Sequence, residues 1–310
     1  MSRAFIFPGQ GSQTVGMGKY LYDVYPSAKS MMDKADEILG YSLKILCFEG
    51  PEDQLKLTQN AQPALYTVSL AAYEVLKEKG LSVPTCVAGH SLGEYSALAA
   101  AGVIDFETGL KLVSQRGKLM AEAAQSVPGT MAAVLGMPAN EVKSLCEEIS
   151  QSIGVVVVAN YNCPGQIVIS GEIPAVQAAV STLKEMKKKA IPLPVSGGFH
   201  SPLLKEANEK FSNLLDTTEF KDAQFPVISN TTAKASTSGA VLREALKAQM
   251  VSSVYWEDSL YEMQGLGITE LIEVGSGTVL TGLVKKTLKE AVTYSTGDSP
   301  ALETVFSLIS

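Results

Sequence analysis

Short apolar runs alternate along the chain with longer stretches of helical periodicity, and this alternation sets the expected architecture. Arg3 to Phe7 reads as a buried strand, halted at once by Pro8-Gly9-Gln10-Gly11. The periodicity predicts a helix over 29–39. It predicts another over 63–79, with Pro63 near the first turn and Gly80 just past the end. A strand over 85–88, a tight turn over 89–93 and a helix over 94–101 closed by Gly102 come next, followed by a helix over 107–124. Strands that alternate with longer helices call for a parallel sheet covered by helices on its faces.

The rhythm changes at Val127-Pro128-Gly129. From there the pattern predicts a strand over 131–135, a helix over 139–152, strands over 155–160 and 166–170, a helix over 174–186 and a strand over 189–194. That order, βαββαβ, is the ferredoxin-like unit. It predicts a small domain over 128–196 inserted into a larger one made of 1–127 and 197–310. After Ser196-Gly197-Gly198 the larger domain resumes, with a helix from about 202, a strand over 226–229, a helix over 241–250, a strand over 269–274 and a helix from beyond Gly277 to about 288.

Composition narrows the class. The 310 residues are 46% hydrophobic and 18% charged, as in an ordinary globular protein long enough to bury a large core. A net charge of -7 argues against nucleic-acid binding, which leaves a basic footprint. The four cysteines, Cys47, Cys86, Cys146 and Cys163, have no zinc-ligand spacing and no disulfide framework, so they read as buried reduced thiols. No leader pattern and no apolar run of membrane-spanning length is evident, so a cytoplasmic protein without membrane contact is expected.

The sharpest chemical signal is Gly89-His90-Ser91-Leu92-Gly93, a GxSxG pattern between an expected strand and an expected helix. A serine on so tight a turn needs glycine at both flanks. The turn exposes the hydroxyl, while the following backbone N–H and the helix N-terminus favour developing negative charge. Read blandly, Ser91 only caps a helix. A neutral hydroxyl needs a base, and the chain has two histidines. His90 adjoins Ser91 on the turn, where neighbouring side chains diverge. His200, in the loop Ser196-Gly197-Gly198-Phe199-His200-Ser201-Pro202, is the remaining candidate, and an unperturbed pKa of about 6.5 suits proton transfer. Gly9 to Gly16 mimics a phosphate loop but lacks the GxGxxG spacing and any Gly-Lys-Ser/Thr ending.

These motifs, taken in order, resemble the malonyl-CoA:acyl carrier protein transacylases along essentially the whole chain. The resemblance rests on Phe7-Pro8-Gly9-Gln10-Gly11-Ser12-Gln13, Ala61-Gln62-Pro63-Ala64-Leu65, Gly89 to Glu94, Gln115-Arg116-Gly117, Gly165-Gln166, Ile169-Ser170-Gly171, Gly198-Phe199-His200-Ser201-Pro202 and Glu273-Val274-Gly275-Ser276-Gly277. It implies an α/β-hydrolase-like large domain with a parallel sheet and a ferredoxin-like insertion. It implies Ser91 as acyl carrier, His200 as general base and acid, and the Gln10 and Leu92 amides as oxyanion hole. Arg116 would pair with the malonyl carboxylate, a role suited to its planar fork, although alone it reads as a surface helix arginine. The main-chain carbonyl of Gln249 would orient His200, and Gln62 and Asn160 would lie at the pocket. Phe199 resembles the malonyl-selective form of its loop. Malonyl-CoA and acyl carrier protein are the implied partners, with no metal or other cofactor. Ala61, Gly198, Ser276 and Thr278 depart from the residues common in this family, away from the nucleophile, base and arginine.

Two other readings stay open from sequence. A serine hydrolase would release the acyl group to water, and a binding module would carry an inert serine. Lys187 to Lys189, Lys285 and Lys286 read either as a docking patch for an acidic carrier protein or as solvated surface.

Overall fold

The protein is described here by a computed structural model covering residues 2–309. Among the described residues eleven strands form two sheets: β1 (Arg3–Phe7), β2 (Cys86–Gly89), β3 (Gly129–Leu135), β4 (Val156–Cys163), β5 (Gln166–Glu172), β6 (Lys189–Pro192), β7 (Val227–Ile228), β8 (Ala235–Ser236), β9 (Val254–Tyr255), β10 (Glu270–Glu273) and β11 (Val292–Ser295). The larger sheet has the order β11-β10-β1-β2-β7-β8 and is parallel except for the edge pair β7–β8. The smaller has the order β6-β3-β5-β4-β9, antiparallel except for β4–β9.

Both faces of the larger sheet are covered, which is why β1 reads as an unbroken apolar run rather than an alternating one. Phe5 and Phe7 pack with the helices Thr58–Glu78, Gly93–Ala100 and Phe106–Ser126. Ala4 and Ile6 face the other way, toward Trp256, Leu260 and Leu280. A third core lies under the smaller sheet, where Val134, Val158 and Ile169 meet Val142 and Cys146 of the Ala139–Ser152 helix and Val176 and Leu183 of the Ile173–Glu185 helix. All four cysteines are buried and unpaired.

The structure corrects several expectations. The helix expected from Pro63 begins at Thr58, so Pro63 sits inside it. Its missing N–H leaves one carbonyl of the first turns without an intrahelical donor, and burial of nearly the whole element outweighs that loss. The segment from Pro202 opens with a 3₁₀ turn (Pro202–Leu204) before the helix Lys205–Asp216. The smaller sheet consists of the four strands of 128–196 together with β9. No helix among the described residues is long and apolar enough to cross a membrane.

Candidate active site

The nucleophile candidate sits where β2 turns into a helix. β2 ends at Gly89 and the helix begins at Gly93, leaving three residues to reverse the chain. Glycine is required at both ends by contact. A Cβ on Gly89 would lie 1.9 Å from the Gly93 carbonyl carbon, and one on Gly93 would lie 2.0 Å from the Phe7 carbonyl oxygen of β1. Ser91 itself takes a left-handed backbone (φ 51°), which lifts its side chain off the turn. Its N–H donates to Asn230 Oδ1 at 2.7 Å, and Asn230 Nδ2 donates to Gly89 O at 2.7 Å, so one amide staples the elbow from the end of β7.

His200 reaches the same point from a different loop, also with a left-handed backbone (φ 55°). Ser91 Oγ and His200 Nε2 are 2.7 Å apart. Nδ1 of the ring faces the main-chain oxygens of Gln249 at 3.0 Å and Ser252 at 3.1 Å. Carbonyls only accept, so the ring proton belongs on Nδ1 and Nε2 is left as an acceptor for the serine hydroxyl. Burial, and secondarily the Arg116 charge, push the His200 pKa down to about 3. Both effects favour the neutral ring.

Arg116 comes from the Phe106–Ser126 helix and is buried, which corrects the surface-arginine reading. Its Nη1 donates to Gln62 Oε1 at 2.9 Å, and its Nη2 to Gln249 Oε1 at 3.0 Å and Ser91 Oγ at 3.2 Å. Among the described residues Nε has no hydrogen-bond partner, a buried donor on a guanidinium already taken out of water. Its flank packs against the Tyr95 ring, 5.4 Å from the centroid.

Ser91, His200 and Arg116 share one cavity of about 120 Å³ with Gln10, Leu92, Asn160 and Phe199. Met120, Met131, Leu193 and Val195 supply apolar wall. Among the described residues neither the Gln10 nor the Leu92 amide donates to a protein acceptor. Gln62 and Gln249 differ from the others: both lie behind Arg116 rather than on the cavity surface. His90 also borders the cavity, but its Nε2 is 2.8 Å from Asn162 Oδ1 and its ring is edge-on to Trp256, so it makes no contact with Ser91 Oγ. Lys187 to Lys189, Lys285 and Lys286 are exposed. Among the described residues no group of three or more His, Cys, Asp or Glu is arranged to hold a metal.

Sequence reasoning did not find Asn230, Ser252, or the buried polar contacts of Glu94 and the Gln249 side chain. Asn230 had one usable signal, its place just beyond a strand in the large sheet, where site loops concentrate.

Residues 4–302 match the family model for the acyl transferase domain. This chain belongs to the acyl transferase family. Within that family it is 48% identical over 301 residues to the malonyl CoA-acyl carrier protein transacylase of Bacillus subtilis, covering 97% of this chain and 95% of the relative. It is 42% identical to the Escherichia coli K12 enzyme of the same name, covering 96% of both. Its backbone is similar to the acyl carrier protein S-malonyltransferase of Vibrio cholerae, with a TM-score of 0.94, 41% identity, and coverage of 98% of this chain and 100% of that one. It is also similar to a malonyl-transacylase solved in complex with its type II PKS acyl-carrier protein, with a TM-score of 0.95, 39% identity, and coverage of 99% and 100%.

Proposed function

We propose that this acyltransferase moves a malonyl group from malonyl-CoA to the phosphopantetheine thiol of acyl carrier protein through an ester on Ser91, in fatty acid or polyketide biosynthesis in the cytoplasm. The observation that carries the residue roles is the 2.7 Å contact between Ser91 Oγ and an imidazole nitrogen free to accept its proton.

In the first half-reaction the Ser91 hydroxyl proton passes to His200 Nε2 as Oγ bonds to the thioester carbonyl carbon. The negative charge on the carbonyl oxygen falls to the unengaged Gln10 and Leu92 amides. When the tetrahedral intermediate collapses, the C–S bond breaks and the CoA sulfur takes the proton from His200. In the second half-reaction His200 accepts the proton of the carrier thiol, sulfur attacks the ester, and Ser91 Oγ leaves with that proton. Gln249 and Ser252 carbonyls hold the Nδ1–H throughout, in place of an acidic third residue.

Arg116 reads the substrate's free carboxylate. Its orphaned Nε and its nearness to Ser91 Oγ support this role. A carboxylate seated there also offsets one of the charges that depress His200, so malonyl binding makes the base more basic. Asn160 and Phe199 shape the pocket, and the Phe199 ring leaves little room for a substituent on the acyl α-carbon. Gln62 supports Arg116 from behind. No cofactor beyond the CoA thioester enters the scheme. We assign 1–127 and 197–310 to an α/β-hydrolase-like catalytic domain and 128–196 to a ferredoxin-like domain. The order β6-β3-β5-β4 with antiparallel neighbours supports the latter assignment.

Initial rates with both substrates varied test the scheme. Two displacements on one serine predict parallel double-reciprocal lines, and a malonyl ester that persists without a thiol acceptor. Rapid loss of the ester to water would mark a hydrolase, and intersecting lines would mark direct transfer.

A further inference from the structure

Two buried charges near the site touch no opposite charge directly. Arg116 has no ion-pair partner among the described residues, although it is 1% exposed. Glu94, three residues past Ser91 in the elbow helix, is also 1% exposed. The Gln249 amide lies between them. Its Nε2 donates to Glu94 Oε2 at 2.6 Å and to Ser91 O at 2.9 Å, while its Oε1 accepts from Arg116 Nη2 at 3.0 Å. The amide can sit only this way round, because the reverse would set NH₂ against guanidinium and oxygen against two acceptors. Glu94 Oε2 also accepts from Asn230 N at 3.3 Å, and Asn230 is the residue stapling the elbow.

We propose that Glu94 is a positioning residue for acyl transfer: through Gln249 and Asn230 its carboxylate fixes Ser91 against His200, and across the Gln249 amide it supplies the counter-charge to Arg116. This rests on the reading of Ser91 as acyl carrier. At one remove the carboxylate reaches the Ser91 N–H and C=O, the carbonyl that orients His200, and the guanidinium. Acylation creates an imidazolium beside Arg116, so a buried negative charge nearby stabilises that moment more than it stabilises ground-state binding.

Burial pushes the Glu94 carboxyl up to about 7, against the pull of Gln249, the Asn230 amide, the Ser229 hydroxyl and Arg116. The titratable and charged groups facing this cluster are Arg116, Tyr95, His200 and His90. Burial holds the Tyr95 hydroxyl far above neutrality and holds both histidines below their ordinary value of 6.5. Arg116 keeps its charge. Above that value Glu94 is therefore the member of the cluster that changes charge near neutrality.

Single-turnover acylation of Ser91 by malonyl-CoA, followed by quench and intact mass from pH 6 to 9, tests this. The wild-type rate should fall about tenfold between pH 8 and pH 6, with one protonation near 7. Glu94→Gln should flatten that profile and lower the plateau rate by about 10- to 100-fold, without raising KM for malonyl-CoA. Glu94→Asp, which keeps the charge, should restore the acid limb. Wild-type acylation that stays flat to pH 6, or Glu94→Gln with a wild-type rate and limb, would overturn the proposal; the first of these needs no variant to fold. A wild-type protein that takes no label at any pH would instead overturn the assignment of Ser91, which is a separate failure.

Discussion

The two sheets contribute to the cavity in different currencies of structure. The parallel sheet delivers Gln10, Ser91 and Asn230 from the carboxyl ends of the strands β1, β2 and β7. The register pairs Phe7 with Gly89 and Ala88 with Ile228, so the three loops leave the sheet side by side. Backbone amides, a helix N-terminus and the buried polar network all gather at that edge. The small sheet delivers Met131 from β3 and Asn160 from β4, with Leu193 and Val195 just beyond β6. It offers wall, with one polar side chain. Parallel strand ends supply converging dipoles suited to charge development, whereas an antiparallel face supplies alternating side chains suited to shape. The serine and the amides beside it should therefore belong to one sheet and acyl fit to the other, with His200 reaching the serine from the loop that follows β6.

Replacing the nucleophile is the strongest attempt to break that division. Ser91→Ala should lower malonyl transfer by about 10⁴-fold or more in a carrier-protein assay. Arg116→Ala should come next. Losing charge-assisted bonds of about 1.5–3 kcal/mol should cut malonyl transfer by roughly 10- to 100-fold and move the preference toward acetyl-CoA. An unchanged malonyl-to-acetyl ratio would remove Arg116 from carboxylate recognition. On the small sheet, Asn160→Ala should raise KM for malonyl-CoA by less than about tenfold and leave the plateau rate nearly intact. A collapse of the acylation rate there would erase the distinction between the sheets. The smallest effect belongs to the thiols. Burial pushes Cys47, Cys86 and Cys146 up to about 12 and raises Cys163, so alkylating reagents should leave the native enzyme active.

The same contrast explains what was legible in the sequence. Long amphipathic elements read well, and the helix over 139–152 has the bounds its periodicity predicts. The GxSxG turn and His200 were legible because their chemistry restricts residue types so tightly. Short elements were not: the helices Lys19–Val24, Leu43–Glu49, Glu52–Lys56, Trp256–Gly265 and Ser299–Phe306 and the strands β8, β9 and β11 went unread. Most of them span fewer than three helical turns or only a few strand residues, so they hold too few positions to show a period. Pro63 misled because proline favours a first turn, and only the burial around it shows that the helix starts earlier. The contacts among Glu94, Asn230, Gln249 and Arg116 join residues far apart in the chain. No local pattern marks which buried glutamine faces which acid, so that network needed coordinates.

The central claim is that Ser91, with His200 as its base, carries the malonyl group. Wild-type protein mixed with malonyl-CoA in the absence of acceptor, quenched, digested and mapped by mass should carry one malonyl group on the peptide that holds Ser91. The group should be absent in His200→Ala and should be lost from wild type on addition of phosphopantetheinylated carrier protein. A label on any other residue, or transfer to carrier protein with no covalent intermediate on Ser91, would contradict it.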